Sequence, residues 1–133
     1  MILESVHVAT SIDRPAPDVY AYIADPTNLP AWAHGLAEAD VELRDGTWTI
    51  ASPMGTVTVA FTPANDLGVV DHDVTLPSGE VVANPLRVIP NADGCDVVFT
   101  VRRRPEVSAA AFEADVAAVT ADLATLRSLM EPG

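Results

Sequence analysis

A chain of 133 residues, 49% of them hydrophobic, with a net charge of -12 and arginine as its only strongly basic residue, predicts a single domain over residues 1–133 whose core needs neither disulfide nor structural metal. The charge argues against nucleic acid and anionic lipid as partners, and the missing lysine removes Schiff-base, pyridoxal phosphate and P-loop chemistry, so no cofactor is expected. One cysteine, Cys95, with no leader-like N-terminus and no long apolar run, points to a reducing, cytoplasmic setting without a membrane span.

Residues 5–12 alternate, with Val6, Val8 and Ile12 against His7, Ala9 and Ser11, and predict a half-buried first strand. Asp13-Arg14-Pro15 then turns the chain into a short helix over 16–24, with Val19, Tyr22 and Ile23 on one face, and Asp25-Pro26 ends it. The prolines of 26–34 leave room for one short helical turn and a loop carrying Trp32 and His34.

From residue 36 the period becomes two, which predicts antiparallel strands joined by short turns. The first sets Ala37, Ala39, Val41 and Leu43 against Glu38, Asp40, Glu42 and Arg44, and Asp45-Gly46 supplies a hairpin turn. Trp48 and Ile50 belong to the next strand, Val57, Val59 and Phe61 to the one after Pro53-Met54-Gly55. A loop at Pro63 to Gly68 precedes a strand with Val70, His72, Val74 and Leu76 on one side, closed by Pro77-Ser78-Gly79. Val82, Asn84, Leu86 and Val88 share a side of the following strand, which Pro85 marks as irregular or near an edge. The last strand aligns Val97, Phe99, Val101 and Arg103.

Ser108 to Met130 is the longest periodic segment. Phe112, Val116, Val119, Leu123, Leu126 and Met130 are spaced alternately by four and three, one stripe of a helix roughly 35 Å long. Ser108 is placed to cap it, and Pro132-Gly133 to end it. Alanines beside the stripe let a sheet approach closely, while Glu113, Asp115, Asp122 and Arg127 are expected to face water. The count is seven strands and three helices. A strand meander apolar on one face and a helix apolar on one stripe have to cover each other.

At this point the chain resembles the START-like superfamily, also called SRPBCC, which includes polyketide cyclases and dehydrases and lipid-transfer domains. The resemblance runs over nearly the whole length. Its nearest approach to a motif is Ile12-Asp13-Arg14-Pro15-Ala16-Pro17-Asp18-Val19-Tyr20, followed by Ala24-Asp25-Pro26, Asn28, Pro30 and Trp32. It implies an α+β helix-grip fold, in which a curved seven-stranded antiparallel sheet wraps a long C-terminal helix, with two short helices after the first strand. It also implies a cavity between sheet and helix that holds a small hydrophobic molecule. No catalytic residue carries over from it.

His72 is the most informative single residue, because alternation aims it at the helix between Val70 and Val74. The commoner fate of such a histidine is a core position satisfied by backbone or a tyrosine; the functional alternative is a ligand anchor or general base. Asn84 interrupts its apolar row in the same way, either to meet a ligand or to complete a bulge at Pro85. Asp71 and Asp73 point to the opposite face and read as solvated acids. Arg103 reads as a solvent-exposed strand end, or else as a carboxylate anchor at the cavity mouth. The Arg102-Arg103-Arg104 run reads as balance to an acidic surface. Trp32, Trp48, Phe99 and Phe112 are candidate aromatic walls, with core packing as the equal alternative. His34 is a candidate lid residue within reach of a ligand, with an exposed loop histidine as the commoner outcome, and Val116 and Val119 complete the expected ligand-binding set. His7, His34 and His72 lack metal-ligand spacing, so no metal site is expected, and no G-x-S-x-G elbow marks a hydrolase.

Three functions follow as expectations. The first is a module that binds or carries a small, mostly apolar molecule. The second is an enzyme of polyketide cyclase, aromatase or dehydratase type with His72 as the acid-base group. The third is an interaction domain whose filled core leaves the acidic face to a basic partner.

Overall fold

The structure of the protein, a computed structural model, describes residues 1–34, 36, 37 and 41–131. Chain order runs β1 (Ser5–Ile12), α1 (Ala16–Ile23), a 3-10 turn (Pro26–Asn28), α2 (Leu29–Trp32), β2 (Val41–Arg44), β3 (Thr47–Ser52), β4 (Gly55–Phe61), β5 (His72–Thr75), β6 (Val81–Asn84), β7 (Leu86–Asn91), β8 (Gly94–Arg102) and α3 (Ala109–Met130). Every strand pairing is antiparallel.

The expected single seven-stranded sheet is corrected to eight strands in two sheets among the described residues, ordered β1-β8-β7 and β2-β3-β4-β5-β6. Pro85 is the cause. It has no N–H to offer a ladder, so the strand expected over 82–88 breaks into β6 and β7, and each half joins a different sheet. The seam is held by backbone bonds from Val70 N to Leu86 O and from Val88 N to Gly68 O, both 2.8 Å, and by an isolated bridge between Val69 and Arg87. β5 begins at His72: the Asp71 carbonyl still accepts from Thr62 N at 2.9 Å, just past β4, while Val69 and Val70 pair with β7 instead.

The first hairpin strand is also shorter than its alternation suggests. It is β2, Val41–Arg44, at the edge of its sheet, and Leu43 is 57% exposed instead of inward. Residues 38–40 of that expected strand, and Pro132-Gly133 beyond the helix, lie outside the described residues. The Asp45-Gly46 turn forms with both residues at positive φ, 51° and 80°, as a tight hairpin requires.

Ser108 caps α3 by accepting from Ala111 N at 3.1 Å, and Arg14 donates from Nη1 to the Met130 carbonyl at 3.0 Å at the other end. On the helix stripe Phe112, Leu123, Leu126 and Met130 are buried, and Val116 and Val119 are half-buried. The helix packs chiefly on β1 and β8, with α2 alongside. Its contact is therefore with the three-stranded sheet, and the five-stranded sheet curls away from it. That divergence leaves the space in which the site lies.

Candidate functional site

Between α3 and the five-stranded sheet lies a cavity of about 440 Å³, within the range of small-molecule sites. Its walls are apolar: Leu29 from α2, Val74 and Val82 from β5 and β6, Val101 from β8, and Val119 and Leu123 from α3. The exposed residues Glu80, Arg102 and Asp115 are also part of its lining and mark where it reaches the surface. The filled interior on which the third expectation depends is not what these residues form.

Of the residues expected from sequence, Trp32, His72, Asn84, Phe99 and Val119 come together on this lining. His34, Trp48, Phe112 and Val116 do not appear in it. His34 is exposed on the loop after α2, where its backbone N–H donates to Asp122 Oδ1 at 3.2 Å. Trp48 pairs with Val59 between β3 and β4, Phe112 is buried in the first turn of α3, and Val116 packs half-buried one turn later.

His72 is 4% exposed. Its Nδ1 lies 3.1 Å from the Val70 carbonyl oxygen, and a carbonyl only accepts, so the neutral ring carries its proton on Nδ1 and presents Nε2 as a bare lone pair. No described residue hydrogen-bonds Nε2. The imidazole is flanked by Phe61, centroids 5.0 Å apart and tilted by 30°, and by Phe99 at 5.9 Å edge-on. Burial among these rings holds its pKa below the usual 6.5, against the opposing pull of the Val70 carbonyl and of the Asp71 and Asp73 charges.

Asn84 sits directly across from His72 in the β5–β6 register, so the two side chains stand on one face with Cβ atoms about 5 Å apart. Its amide makes no hydrogen bond with a described residue. Trp32, 2% exposed, has an indole N–H that is likewise without an acceptor. A shallower hollow of about 330 Å³ lies between Phe61, Asp71, Asp73 and Pro85, and His72, Ala83 and Asn84 separate it from the main cavity.

Sequence reasoning missed the rim. Asp115 and Asp122, expected to face water, flank the cavity on α3, and Arg102 and Arg104 reach it from the end of β8. Arg104 donates from Nη1 to Glu80 Oε1 at 2.8 Å, tying that end of the chain to the β5–β6 turn. Arg103 points elsewhere, to the Val107 carbonyl at 2.9 Å and to Glu4 at 3.5 Å. The spacing signal for the missed acids existed: Asp115 and Asp122 are seven apart and share a face beside Val119.

Asp71 is not merely solvated. It accepts from Leu86 N and from Arg87 Nε, both at 2.8 Å, and from Arg87 Nη2 at 2.7 Å. The Arg87 guanidinium holds its carboxyl below the usual value. Among the described residues no group of three histidine, cysteine or acidic side chains is placed to hold a metal ion, and no helix is long and apolar enough to cross a membrane.

The sequence profile of the family described as polyketide cyclase / dehydrase and lipid transport matches residues 4–131. The chain belongs to that family. Among solved structures, a protein of Bacillus thuringiensis superposes with a TM-score of 0.75 at 16% identity, covering 96% of this chain and 98% of its own. XoxI of Bacillus cereus gives 0.73 at 16% identity, with 96% of each chain covered. Truncated norcoclaurine synthase of Thalictrum flavum gives 0.66 at 14% identity, over 99% of this chain and 96% of its own. At these identities the likeness is one of fold. No curated protein matches the chain in sequence.

Proposed function

We propose that this family member holds a small, mostly apolar molecule in the cavity between α3 and the five-stranded sheet, as a binding or transport module. The observation that carries the reading is an apolar-walled space of about 440 Å³ with a buried His72 and a half-buried Asn84 facing each other across β5 and β6 in its lining. Such a site gains most of its affinity from buried apolar area and its orientation from few polar groups. Trp32, Phe99 and Val119 form the remaining contacts in this reading. The buried free thiol of Cys95 fits a reducing, cytoplasmic setting.

The test is solvent extraction and mass spectrometry of freshly purified protein, joined to a thermal-shift panel of apolar compounds. A co-purified small molecule, or compounds that raise Tm, is the expected result. An empty protein whose Tm is indifferent to the whole panel ends the reading.

A second reading, an enzyme of cyclase, aromatase or dehydratase type, is favoured by one observation. A neutral imidazole with an unpartnered Nε2 in an apolar pocket is equipped to take a proton. His72→Gln decides it: turnover lost with ligand affinity kept supports catalysis, and turnover kept removes it.

A further inference from the structure

The polar pair in the cavity wall has a specific valence. His72 Nδ1–H is engaged by the Val70 carbonyl, which leaves Nε2 able only to accept. Asn84, directly opposite on β6, carries an NH2 group able to donate. Neither Nε2 nor the half-buried amide makes a hydrogen bond with a described residue, and His72 itself is only 4% exposed, where polar groups are paired in the great majority of cases. One acceptor beside one donor, at cross-strand distance, matches a hydroxyl group, which donates once and accepts.

Other polar groups fit less well. A carboxylate brings only acceptors, so it would set an oxygen lone pair against that of Nε2 and would lose water against the apolar wall of Val74, Val82 and Phe99 without a cation at hand. The arginines of the lining, Arg102 and Arg104, are at the rim, engaged with Ser5 and Glu80. An ether or a ketone satisfies Asn84 alone and leaves Nε2 bare. A hydrocarbon leaves both.

We propose that the cavity selects a neutral, hydroxyl-bearing apolar molecule, a phenol or alcohol, whose O–H donates to His72 Nε2 and whose oxygen accepts from Asn84. This rests on the cavity being a small-molecule site, and it adds the functional group that the ligand must carry. His72 and Asn84 are then specificity determinants, and the apolar walls supply affinity without discriminating among ligands of the same shape.

Three probes of one skeleton test it: 2-naphthol, 2-methoxynaphthalene and 2-naphthoate, with affinities measured by calorimetry on the full chain at neutral pH. The expected result is that naphthol binds about tenfold more tightly than methoxynaphthalene, the size of one neutral hydrogen bond, and that naphthoate binds more weakly than either. In His72→Phe the gap between naphthol and methoxynaphthalene closes while methoxynaphthalene affinity is retained. Should that variant not fold, the wild-type protein gives the same answer through the 15N resonance of His72 Nε2. It moves on adding naphthol and stays in place on adding methoxynaphthalene. Equal affinities of naphthol and methoxynaphthalene, or a preference for naphthoate that strengthens as pH falls, overturn the hydroxyl assignment and leave the cavity reading standing. Absence of binding by all three removes both.

Discussion

Arg87 grips Asp71 at two points, Nε to Oδ1 at 2.8 Å and Nη2 to Oδ2 at 2.7 Å, while Oδ1 also takes the Leu86 backbone N–H at 2.8 Å. The carboxylate thus fastens the residue that precedes β5 to the residues that open β7, immediately past Pro85. His72 is the next residue along. The seam between the two sheets and the polar wall of the cavity are therefore set by one local arrangement.

Asp71→Asn keeps an acceptor for Leu86 N but loses the charge that holds Arg87. Both side chains are partly exposed, at 33% and 50%, so solvent screens the pair and the expected loss is roughly 1 kcal/mol. The sign with pH follows from the lowered carboxyl pKa. Stability from this group is fully present above its ordinary value of 3.8 and is lost as pH falls from there through the lower folded value. Urea unfolding from pH 6 down to pH 2.5 should show the difference between wild type and variant shrinking below about pH 4. A difference independent of pH would mean that the ion pair contributes nothing.

The parts of the fold that could be read ahead were those with an unbroken period. The 4-3 spacing of α3 and the alternation of β1 appear in the structure over nearly the expected residues. The two-sheet division was only half visible: Pro85 announced an irregularity, but not that β6 and β7 would part company. That depends on the tertiary bonds from Val70 and Val88 across the seam. For the site, alternation tells which face a side chain takes and not where along that face a void opens. His72 and Asn84 could be found because polar residues interrupted apolar rows. Trp48, Phe112 and Val116 could not be excluded, because an apolar residue reads alike whether it meets a neighbour or a cavity.

His72 makes its own pH signature. Burial lowers its pKa below 6.5, so the unfolded chain takes up a proton at a pH where the folded one resists. Stability from the neutral ring is fully present above about pH 6.5 and is lost as pH falls from there toward the depressed folded value. His72→Phe removes the proton acceptor, so the stability of the variant relative to wild type should rise steadily as the pH falls below about 6.5. Tm measured from pH 8 to pH 5 for both proteins checks this, and parallel curves would refute it.

Gly68 occupies the seam with φ of 74°, and a Cβ there would come within 2.1 Å of the Val88 carbonyl oxygen. Its own carbonyl accepts from Val88 N at 2.8 Å. Gly68→Ala therefore adds left-handed strain and forces the β7 backbone away, at a cost of more than about 2 kcal/mol. Gly46 also has a positive φ, 80°, but open space where a Cβ would stand, so Gly46→Ala should cost only the strain, about 1 kcal/mol. Equal urea midpoints for the two variants would show that the seam gives way freely.

Trp32 lines the cavity and Trp48 does not, which makes the two indoles a paired reporter. In Trp48→Phe the remaining fluorescence comes from Trp32, whose buried N–H has no acceptor among the described residues. A ligand entering the cavity changes that indole's surroundings directly, so its emission should shift or quench in a saturable way with any compound that raises Tm. In Trp32→Phe the remaining emission comes from Trp48 and should stay flat through the same titration. Val119→Phe adds bulk to the helix wall of the cavity and should abolish the Trp32 response in the Trp48→Phe background. Val116→Phe, whose parent side chain lies outside the lining, should leave it intact. A Trp48 signal that follows ligand while Trp32 stays silent would move the binding site away from α3 and β5.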